Sequence, residues 1–405
     1  MLNVSSSYLI SGCRTPIGKY LGCLSALSAV ELGGYAIAEA VRRANAGLET
    51  IDQVIMGQVI QAGAGQAPAR QASIRAGLPP SVGAVTVNKV CGSGLYSVML
   101  ADMAIRAGEY QRVVAGGMES MSQAPHLLRN GRSGWKFGEQ SLIDSVDFDG
   151  LRCPQLSVAM GCIAEWVAKV ESISRAEQDA WAMRSHQLAA AAFDAFSTEL
   201  VPVLVVESKT QIVRSTDEGP RQDCTLESLA RLKPVFLSSL VGSSDAIDYS
   251  GTVTAGNASM LSDGAAAVVV VDETTHRALK TDWSFRIVGH CYFASDHQRI
   301  FTAPVGAVNL LLKKTNMSVS DVDLYEINEA FAAQTLACIH DLRLDANFVN
   351  VRGGAIALGH PLGCSGTRVL VTLLHNLLSR NLHRGIATLC LGGGEAVAMM
   401  IERVN

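Results

Sequence analysis

Cys91 is the residue whose neighbours in the sequence best suit a chemical role. Residues 82–90 alternate small, apolar and polar side chains like a strand, while residues 95–107 are apolar almost all round, like a buried helix. Cys91 is therefore predicted on a strand-to-helix turn, where amide N–H groups and the helix dipole favour a thiolate. Gly92 and Gly94 would leave room for a substrate near the backbone. This setting indicates a nucleophile, and a buried structural cysteine is the alternative.

His360 and Cys390 are two further candidates for proton transfer. His360 lies in a glycine-rich stretch, and the proline that follows it favours an extended backbone that presents the imidazole. Such a histidine could accept a thiol proton or donate to an oxyanion, although a lone loop histidine is more often merely exposed. Cys390 stands at a predicted strand end before three glycines, whose amides could hold an oxyanion. A buried thiol before a turn is the alternative for Cys390.

Asn328 directly follows a predicted strand and precedes a predicted helix. Its side chain could cap that helix or hold a catalytic water. Capping is the commoner role of a single asparagine, so the residue type by itself favours a structural function.

The composition is that of an ordinary globular protein. Of 405 residues, 48% are hydrophobic and 17% charged, which excludes a disordered chain. The net charge is −4 without a dense run of Lys or Arg, so we expect neither nucleic acid nor an anionic membrane as partner. Dinucleotide, ATP and serine-hydrolase motifs are absent. Small molecules are the expected partners.

The ten cysteines are scattered, with no CxxC pair and no Cys/His cluster of zinc spacing. We therefore expect reduced thiols and no bound metal. Residues 1–8 lack the features of a signal peptide, and the apolar run at 265–271 is too short to span a bilayer. A cytoplasmic location is the resulting expectation.

The hydrophobic pattern predicts the elements that must position these residues. In the first part, predicted strands alternate with helices, which favours a parallel sheet with helices on both faces. The strands are 4–11, 53–61, 84–90 and 112–116, and the helices 30–45, 66–76 and 95–107. The pattern then loosens to about residue 252, which indicates an insertion, and residues 265–271 return as a buried strand.

The remainder of the chain repeats this order without the insertion. The predicted strands are 285–293, 323–327, 348–351, 386–391 and 396–402, and the helices 305–315, 329–341 and 364–378. Two pseudo-symmetric sheets are the economical interpretation. The turn that bears Cys91 and the turn at 353–363 would then occupy equivalent places and meet near an internal two-fold axis.

Five stretches together resemble the thiolase family, especially its acetyl-CoA acetyltransferases: residues 87–94, 116–122, 328–331, 353–366 and 390–394. The resemblance runs along essentially the whole chain. It implies an α/β, thiolase-like fold of two pseudo-symmetric βαβαβαββ halves in five layers, αβαβα. The halves would comprise residues 1–118 with 253–273, and residues 274–405. Residues 119–252 would form an inserted loop domain for coenzyme A binding and oligomerisation.

The resemblance also implies a role for each candidate. Cys91 would take the acyl group from an acyl-CoA, and His360 would accept its proton. Cys390 would be the acid/base at the α-carbon of acetyl-CoA. One oxyanion hole would consist of His360 and a water held by Asn328, and the other of the amides of Cys91 and Gly392.

By the same resemblance, coenzyme A is a substrate and no cofactor is tightly bound. Ser259 matches the residue that contacts pantetheine, and Arg221 loosely matches one near the adenine. The resemblance places three more residues in the coenzyme A site: Met160, Ala255 and Phe331. Family members are usually homodimers or homotetramers.

Departures from the family pattern fall in the substrate region. Short-chain biosynthetic thiolases usually have His at the position of Ala159 and Gly at the position of Met260. Phe301 also replaces a glycine, in a stretch that usually reads Met-Gly-Thr-Gly-Pro. Met260 and Phe301 in place of glycine add bulk near the expected acyl pocket and disfavour a positive φ. They leave the acyl-chain preference open.

Three hypotheses follow from the resemblance. The leading one is an active thiolase that joins two acetyl-CoA molecules into acetoacetyl-CoA, or cleaves a 3-oxoacyl-CoA. A thiolase with another acyl or acceptor preference is the alternative among enzymes. A non-catalytic acyl-CoA-binding homologue is the alternative from another class, and the presence of Cys91, His360 and Cys390 argues against it.

Overall fold

The first half of the chain forms a mixed β-sheet in this computed structural model, which describes residues 6–236, 250–279 and 281–404. Its elements up to residue 120 are β1 (Ser7–Arg14), β2 (Gly18–Lys19), α1 (Ala29–Arg43), β3 (Gln53–Gly57), α2 (Pro68–Arg75), β4 (Gly83–Val87), α3 (Ser93–Arg106) and β5 (Arg112–Ser120). Every predicted strand and helix of this part is confirmed, with shifted ends. Residues 4 and 5 of the first predicted strand lie outside the described residues.

The predicted insertion is built from short elements. They are β6 (His126–Leu127), β7 (Ile143–Asp144), β8 (Arg152–Cys153), β9 (Val158–Ala159), α4 (Met160–Val170), α5 (Arg175–Ala191), α6 (Phe193–Phe196), β10 (Val203–Glu207), β11 (Thr210–Arg214) and α7 (Leu226–Ala230). The hairpin of β10 and β11 was not predicted. Helix α5 begins with a capping box, in which Ser174 and Glu177 exchange hydrogen bonds.

The second half repeats the order of the first. Its elements, with the returning strand, are β12 (Ser262–Asp272), α8 (Glu273–Ala278), β13 (Phe285–Ala294), α9 (Ala303–Thr315), β14 (Leu324–Ile327), α10 (Ala332–Leu342), α11 (Ala355–Leu358), α12 (Leu362–Arg380), β15 (Arg384–Leu391) and β16 (Glu395–Arg403). The predicted strand at 348–351 is wrong: a 3₁₀ turn ends at Phe348, and Val349 makes only an isolated bridge to Tyr325.

Strand order shows the pseudo-symmetry of the halves. The first half is ordered β4-β3-β5-β12-β1, and the second is ordered β14-β15-β16-β13 with the Val349 bridge beyond β14. The prediction of a parallel sheet is only partly right. Strands β3, β4 and β5 are parallel, as are β14 and β15, whereas β12 and β16 pair antiparallel with their neighbours. A short turn joins β15 to β16, and such a turn permits only antiparallel pairing.

Three buried layers separate and cover the two sheets. Helices α3 and α12 fill the space between the sheets, α1 and α2 cover the outer face of the first sheet, and α9 and α10 cover that of the second. This is the predicted αβαβα order. At the edge, β1 and β13 pair over two residues and join the sheets.

Helices α3 and α12 contact each other closely because small residues face each other. A Cβ on Gly366 would lie 2.3 Å from the backbone nitrogen of Leu95, and one on Gly94 would lie 2.8 Å from the Gly363 carbonyl oxygen. The turn with Cys91 precedes α3, and the turn with His360 precedes α12. This contact therefore holds both turns together at the internal two-fold axis, as predicted. No helix of the described residues is long and apolar enough to cross a membrane.

Candidate active site

Cys91, His360 and Cys390 come together at one cavity, although they are far apart in sequence. The cavity measures about 230 Å³ and is lined mainly by apolar side chains. Four other predicted site residues also line it: Gly392, Met160, Ser259 and Phe331. Each lies near the start or end of a helix or strand, which is where an open α/β sheet binds ligands.

Cys91 lies on the turn between β4 and α3, as predicted. Val90 before it has φ +47°, a strained value for a β-branched residue. The Ser93 hydroxyl clamps the turn, since it donates to the Val90 carbonyl at 2.6 Å and accepts from the Lys89 amide at 2.8 Å. The turn therefore holds the thiol in one position at the cavity wall.

In the free protein, burial opposes the thiolate that the turn at Cys91 would favour. Burial raises the pKa of its thiol to about 11, although the amides of Gly392 and of Cys91 itself donate to the sulfur and lower it. Desolvation outweighs these dipoles, so the resting residue is a thiol that needs a base. The prediction that Gly92 leaves room for a substrate is wrong. A Cβ at Gly92 would lie 2.2 Å from the Leu391 side chain, so this glycine makes room for protein packing.

His360 is buried, which contradicts the alternative of an exposed loop histidine. Gly359 before it has φ +111°, and a Cβ there would lie 2.2 Å from the Ser262 hydroxyl. The backbone amide of His360 donates to the Met260 carbonyl at 3.0 Å, and its Nδ1 lies 2.6 Å from the Ser365 hydroxyl. Burial and the nearby positive charge of Arg368 lower the pKa of His360 to about 3. The imidazole is neutral at pH 7 and can accept a proton.

Cys390 lies near the end of β15 and is 3% exposed. Its pKa is raised well above the usual value by burial and by the neighbouring thiols of Cys91 and Cys338. A thiol of high pKa gives a thiolate that is a strong base. This is the property that proton removal from a carbon atom requires.

Asn328 does not cap the following helix, which corrects the commoner interpretation. Helix α10 begins at Ala332 with Phe331 at the N-cap position, so Asn328 lies before the helix start. Its Nδ2 is 3.5 Å from both ring nitrogens of His360, and its Oδ1 accepts a hydrogen bond from Arg368 at 3.1 Å. The amide is directed to His360 by a tertiary contact.

Two of the predicted coenzyme A residues lie outside the cavity. Ala255 and Arg221 are exposed, and the guanidinium of Arg221 lies 2.9 Å from the ring of His186. Ser259, in contrast, is fixed at the cavity wall because its amide donates to the Ala330 carbonyl at 3.0 Å. Within the described ranges, no group of three or more His, Cys, Asp or Glu side chains could hold a metal ion.

Three polar residues around the cavity were missed by the sequence analysis. Ser365 contacts His360, Arg368 contacts Asn328, and the buried carboxylate of Glu119 accepts from the amides of Val59 at 3.0 Å and Gly363 at 2.9 Å. Arg368 had a usable signal, since it is a charged residue in an apolar helix. Buried charges of this kind usually have a specific partner.

Residues 7–274 match the family described as thiolase, N-terminal domain, and residues 281–403 match thiolase, C-terminal domain. The chain belongs to the thiolase family. The acetyl-CoA acetyltransferase of Escherichia coli K12 is 47% identical over 400 residues, which cover 98% of this chain and 99% of that protein. The acetyl-CoA acetyltransferase of Cupriavidus necator is 46% identical over 398 residues, or 98% of each chain.

The crystal structure of the Bacillus anthracis acetyl-CoA acetyltransferase resembles this thiolase along its full length. The TM-score is 0.94 at 39% identity, and the match covers 100% of both chains. The predicted family and fold are thus confirmed.

All three departures from the usual thiolase pattern line the cavity: Ala159, Met260 and Phe301. The Phe301 ring is 2% exposed and packs edge to face on Phe331, with centroids 5.2 Å apart. At Met260 and Phe301, side chains therefore form part of the pocket wall where a glycine would offer only backbone.

Proposed function

We propose that this thiolase condenses two acetyl-CoA molecules to acetoacetyl-CoA and free CoA, and catalyses the reverse thiolysis of 3-oxoacyl-CoA. The observation that carries the proposal is the meeting of two thiols and one neutral imidazole, Cys91, Cys390 and His360, at an apolar cavity. Because the reverse reaction uses the same groups, one site serves both directions. The acetyl-CoA acetyltransferases among its relatives support the choice of acetyl-CoA as substrate.

In the first half-reaction, Cys91 Sγ attacks the thioester carbon of acetyl-CoA. The thiol proton passes to His360, which then gives it to the departing CoA thiolate, so the products are acetyl-Cys91 and CoA. The amides of Cys91 and Gly392 already converge on the sulfur, and this supports their role as donors to the developing oxyanion. A buried thiol and a neutral base together avoid a permanent charge in the apolar cavity.

In the second half-reaction, the Cys390 thiol gives its proton to His360, and the resulting thiolate removes a proton from the α-carbon of another acetyl-CoA. His360 and a water held by Asn328 would stabilise the enolate oxygen. The α-carbon attacks acetyl-Cys91, the carbon–carbon bond forms, and the Cys91 thiolate leaves and takes the proton from His360, which restores both thiols and the neutral imidazole. The high pKa of Cys390 supports this assignment, because an α-proton of a thioester requires a strong base.

The coenzyme A site would extend from the cavity to the surface. Ser259, Met160 and Phe331 at the cavity wall suit the pantetheine arm, and exposed Ala255 and Arg221 suit contacts with the distal nucleotide part. We assign this site to the inserted segment, residues 119–252, together with the loop that carries Ser259. We also propose that the domains meet at residues 118, 252 and 273.

We further propose a homodimer or homotetramer that acts in the lipid metabolism of the cytoplasm. Exposed large apolar side chains in the insertion support an association surface there, namely Trp135, Phe137 and Leu142. All ten cysteines are free, as a reducing compartment would keep them.

The test is the mass of the intact protein after brief exposure to acetyl-CoA or to longer acyl-CoAs. We expect an acetyl adduct that is absent in Cys91→Ala. Cys390→Ala should still acylate but fail to form acetoacetyl-CoA, and undiminished condensation by this variant would refute its role. An adduct with longer donors only would indicate another acyl preference, and the lack of any adduct would favour a binding homologue.

A further inference from the structure

Arg368 is a buried guanidinium at the back of the active site. It lies on α12, eight residues after His360, and is 1% exposed. Its Nη2 donates to Asn328 Oδ1 at 3.1 Å, while Nε and Nη1 have no hydrogen-bond partner among the described residues. Burying a charge in this way is costly, so its position calls for a reason beyond packing.

The contact with Arg368 decides which way the Asn328 amide faces. An arginine has only donors, so the atom opposite Nη2 must be the amide oxygen. The amide nitrogen then has to face His360, where it lies 3.5 Å from the ring nitrogens. A flipped amide would place two donors against each other and leave the guanidinium without this acceptor.

The charge of Arg368 also acts on His360. Among the described residues, it is the only charged group that shifts the pKa of His360 besides the effect of burial, and both disfavour the protonated ring. Other groups around Arg368 itself are Glu326 on β14, Glu199 before β10, Arg14 on β1 and Cys364 on α12. Burial raises the pKa of the Glu326 carboxyl to about 8. Arg368 stays charged because arginine keeps its proton in proteins even where burial lowers its pKa.

We propose that Arg368 is a positioning residue of this thiolase, which fixes the Asn328 amide in one orientation with its nitrogen toward His360. Arg368 does not line the cavity, so it acts through Asn328. Its effect on turnover rests on the proposed function, whereas its effect on the Asn328 amide does not. The amide nitrogen is thereby kept as a donor on the His360 side.

The test compares Arg368→Met and Arg368→Lys with a matched control, Arg352→Met. Arg352 is also a largely buried guanidinium, but it donates to Ser379 at 2.7 Å. Protein labelled with ¹⁵N at histidine and asparagine reports the His360 titration and the Asn328 amide signals by NMR. In Arg368→Met we expect the His360 midpoint to rise by about one pH unit or more. We also expect the Asn328 amide to populate two orientations.

Arg368→Lys retains the positive charge but lacks the planar guanidinium with its fixed donors, so it should disturb Asn328 more than His360. Arg352→Met should leave both residues unchanged. The rate of condensation should fall about tenfold in Arg368→Met, which corresponds to about 1.4 kcal/mol of lost stabilisation, with KM little changed. The rate of Cys91 acylation should change less, because the water held by Asn328 serves the enolate oxygen.

Unchanged Asn328 amide signals in both Arg368 variants would overturn the proposal, whatever the His360 titration and the turnover. A wild-type protein that forms no acyl-enzyme would refute the proposed function and leave the NMR comparison valid. If Arg368→Met does not fold because the Glu326 carboxyl loses the guanidinium charge near it, Arg368→Met/Glu326→Gln removes the ionisable carboxyl, with Glu326→Gln alone as its control. The same Asn328 amide signals then decide.

Discussion

The hydroxyl of Ser365 lies 2.6 Å from Nδ1 of His360 and donates its own proton to the Pro361 carbonyl at 2.8 Å. Because this proton is committed, the hydroxyl can only accept from the ring, and Nδ1 must carry the imidazole hydrogen. Nε2 is then the lone pair that can accept a proton. Ser365, in the first turn of α12, thereby selects the tautomer of His360 that a base for Cys91 needs.

Ser365→Ala should slow acylation of Cys91 about fivefold, because a net hydrogen bond of about 1 kcal/mol no longer holds the tautomer. Rapid-quench mass spectrometry with acetyl-CoA measures this rate. Ser365→Thr keeps the hydroxyl and is the control. Equal rates for the alanine variant and the wild type would show that the tautomer is fixed by other contacts.

Alkylation of Cys91 by iodoacetamide should rise with pH through the neutral range, since the thiolate reacts and its pKa is raised to about 11 by burial. The rate should increase about tenfold per pH unit below that value, in proportion to the thiolate fraction. Peptide mass spectrometry follows the modified residue. A plateau below pH 8 would instead indicate a resting thiolate.

Glu119 should make stability depend on pH. Burial raises its pKa to about 7 from 4.5, so the folded state holds a proton that the unfolded state has lost between these values. The stability from this group is therefore present below pH 4.5 and is lost as pH rises to 7. Relative to Glu119→Gln, the wild type should lose about 3 kcal/mol in the free energy of unfolding over this interval.

Urea unfolding of both proteins at several pH values measures this difference. The exposed Glu227, which pairs with Arg231, supplies the control variant Glu227→Gln. A difference between Glu119→Gln and wild type that is constant with pH would contradict the shifted pKa.

Gly366→Ala should destabilise the fold, because its Cβ would lie 2.3 Å from the Leu95 backbone nitrogen. Relief requires α12 to move away from α3, at a cost of about 1–3 kcal/mol. Urea unfolding at fixed protein concentration checks this. Gly289→Ala is the matched control, since its Cβ would meet no atom closer than 3.4 Å. If both variants lose a similar free energy of unfolding, the α3–α12 contact is no more tightly packed than the surroundings of Gly289.

Phe301→Leu should widen the acyl pocket, because the Phe301 ring forms a wall against Phe331. The preference for butanoyl-CoA over acetyl-CoA should rise about tenfold, given about 0.8 kcal/mol for each buried methylene. Relative acylation rates with the two donors measure the preference. Phe196→Leu, at a buried ring outside the cavity, is the control. Equal changes in the acylation rates with acetyl-CoA and butanoyl-CoA would show that the acyl group does not contact Phe301.

Most of the architecture could be predicted from local sequence. The periodicity of apolar residues marks helices and strands over short windows, and glycine and proline mark the turns at Cys91, His360 and Cys390. The repeated order of elements then indicates two equivalent halves, which brings these turns together. The failed prediction at 348–351 concerned a short apolar segment, where periodicity gives little information.

The tertiary structure decided the protonation states and the partners of the site residues. Cys91 is a thiol because desolvation at its half-buried position opposes the charge that the local turn would favour. Arg368 and Glu119 contact residues 40 and 60 or more positions away, and no local pattern specifies such pairs. Sequence therefore determined which chemical groups stand at the turns. Only packing determined how much water, charge and hydrogen bonding each group meets, because those depend on residues that are distant in the chain.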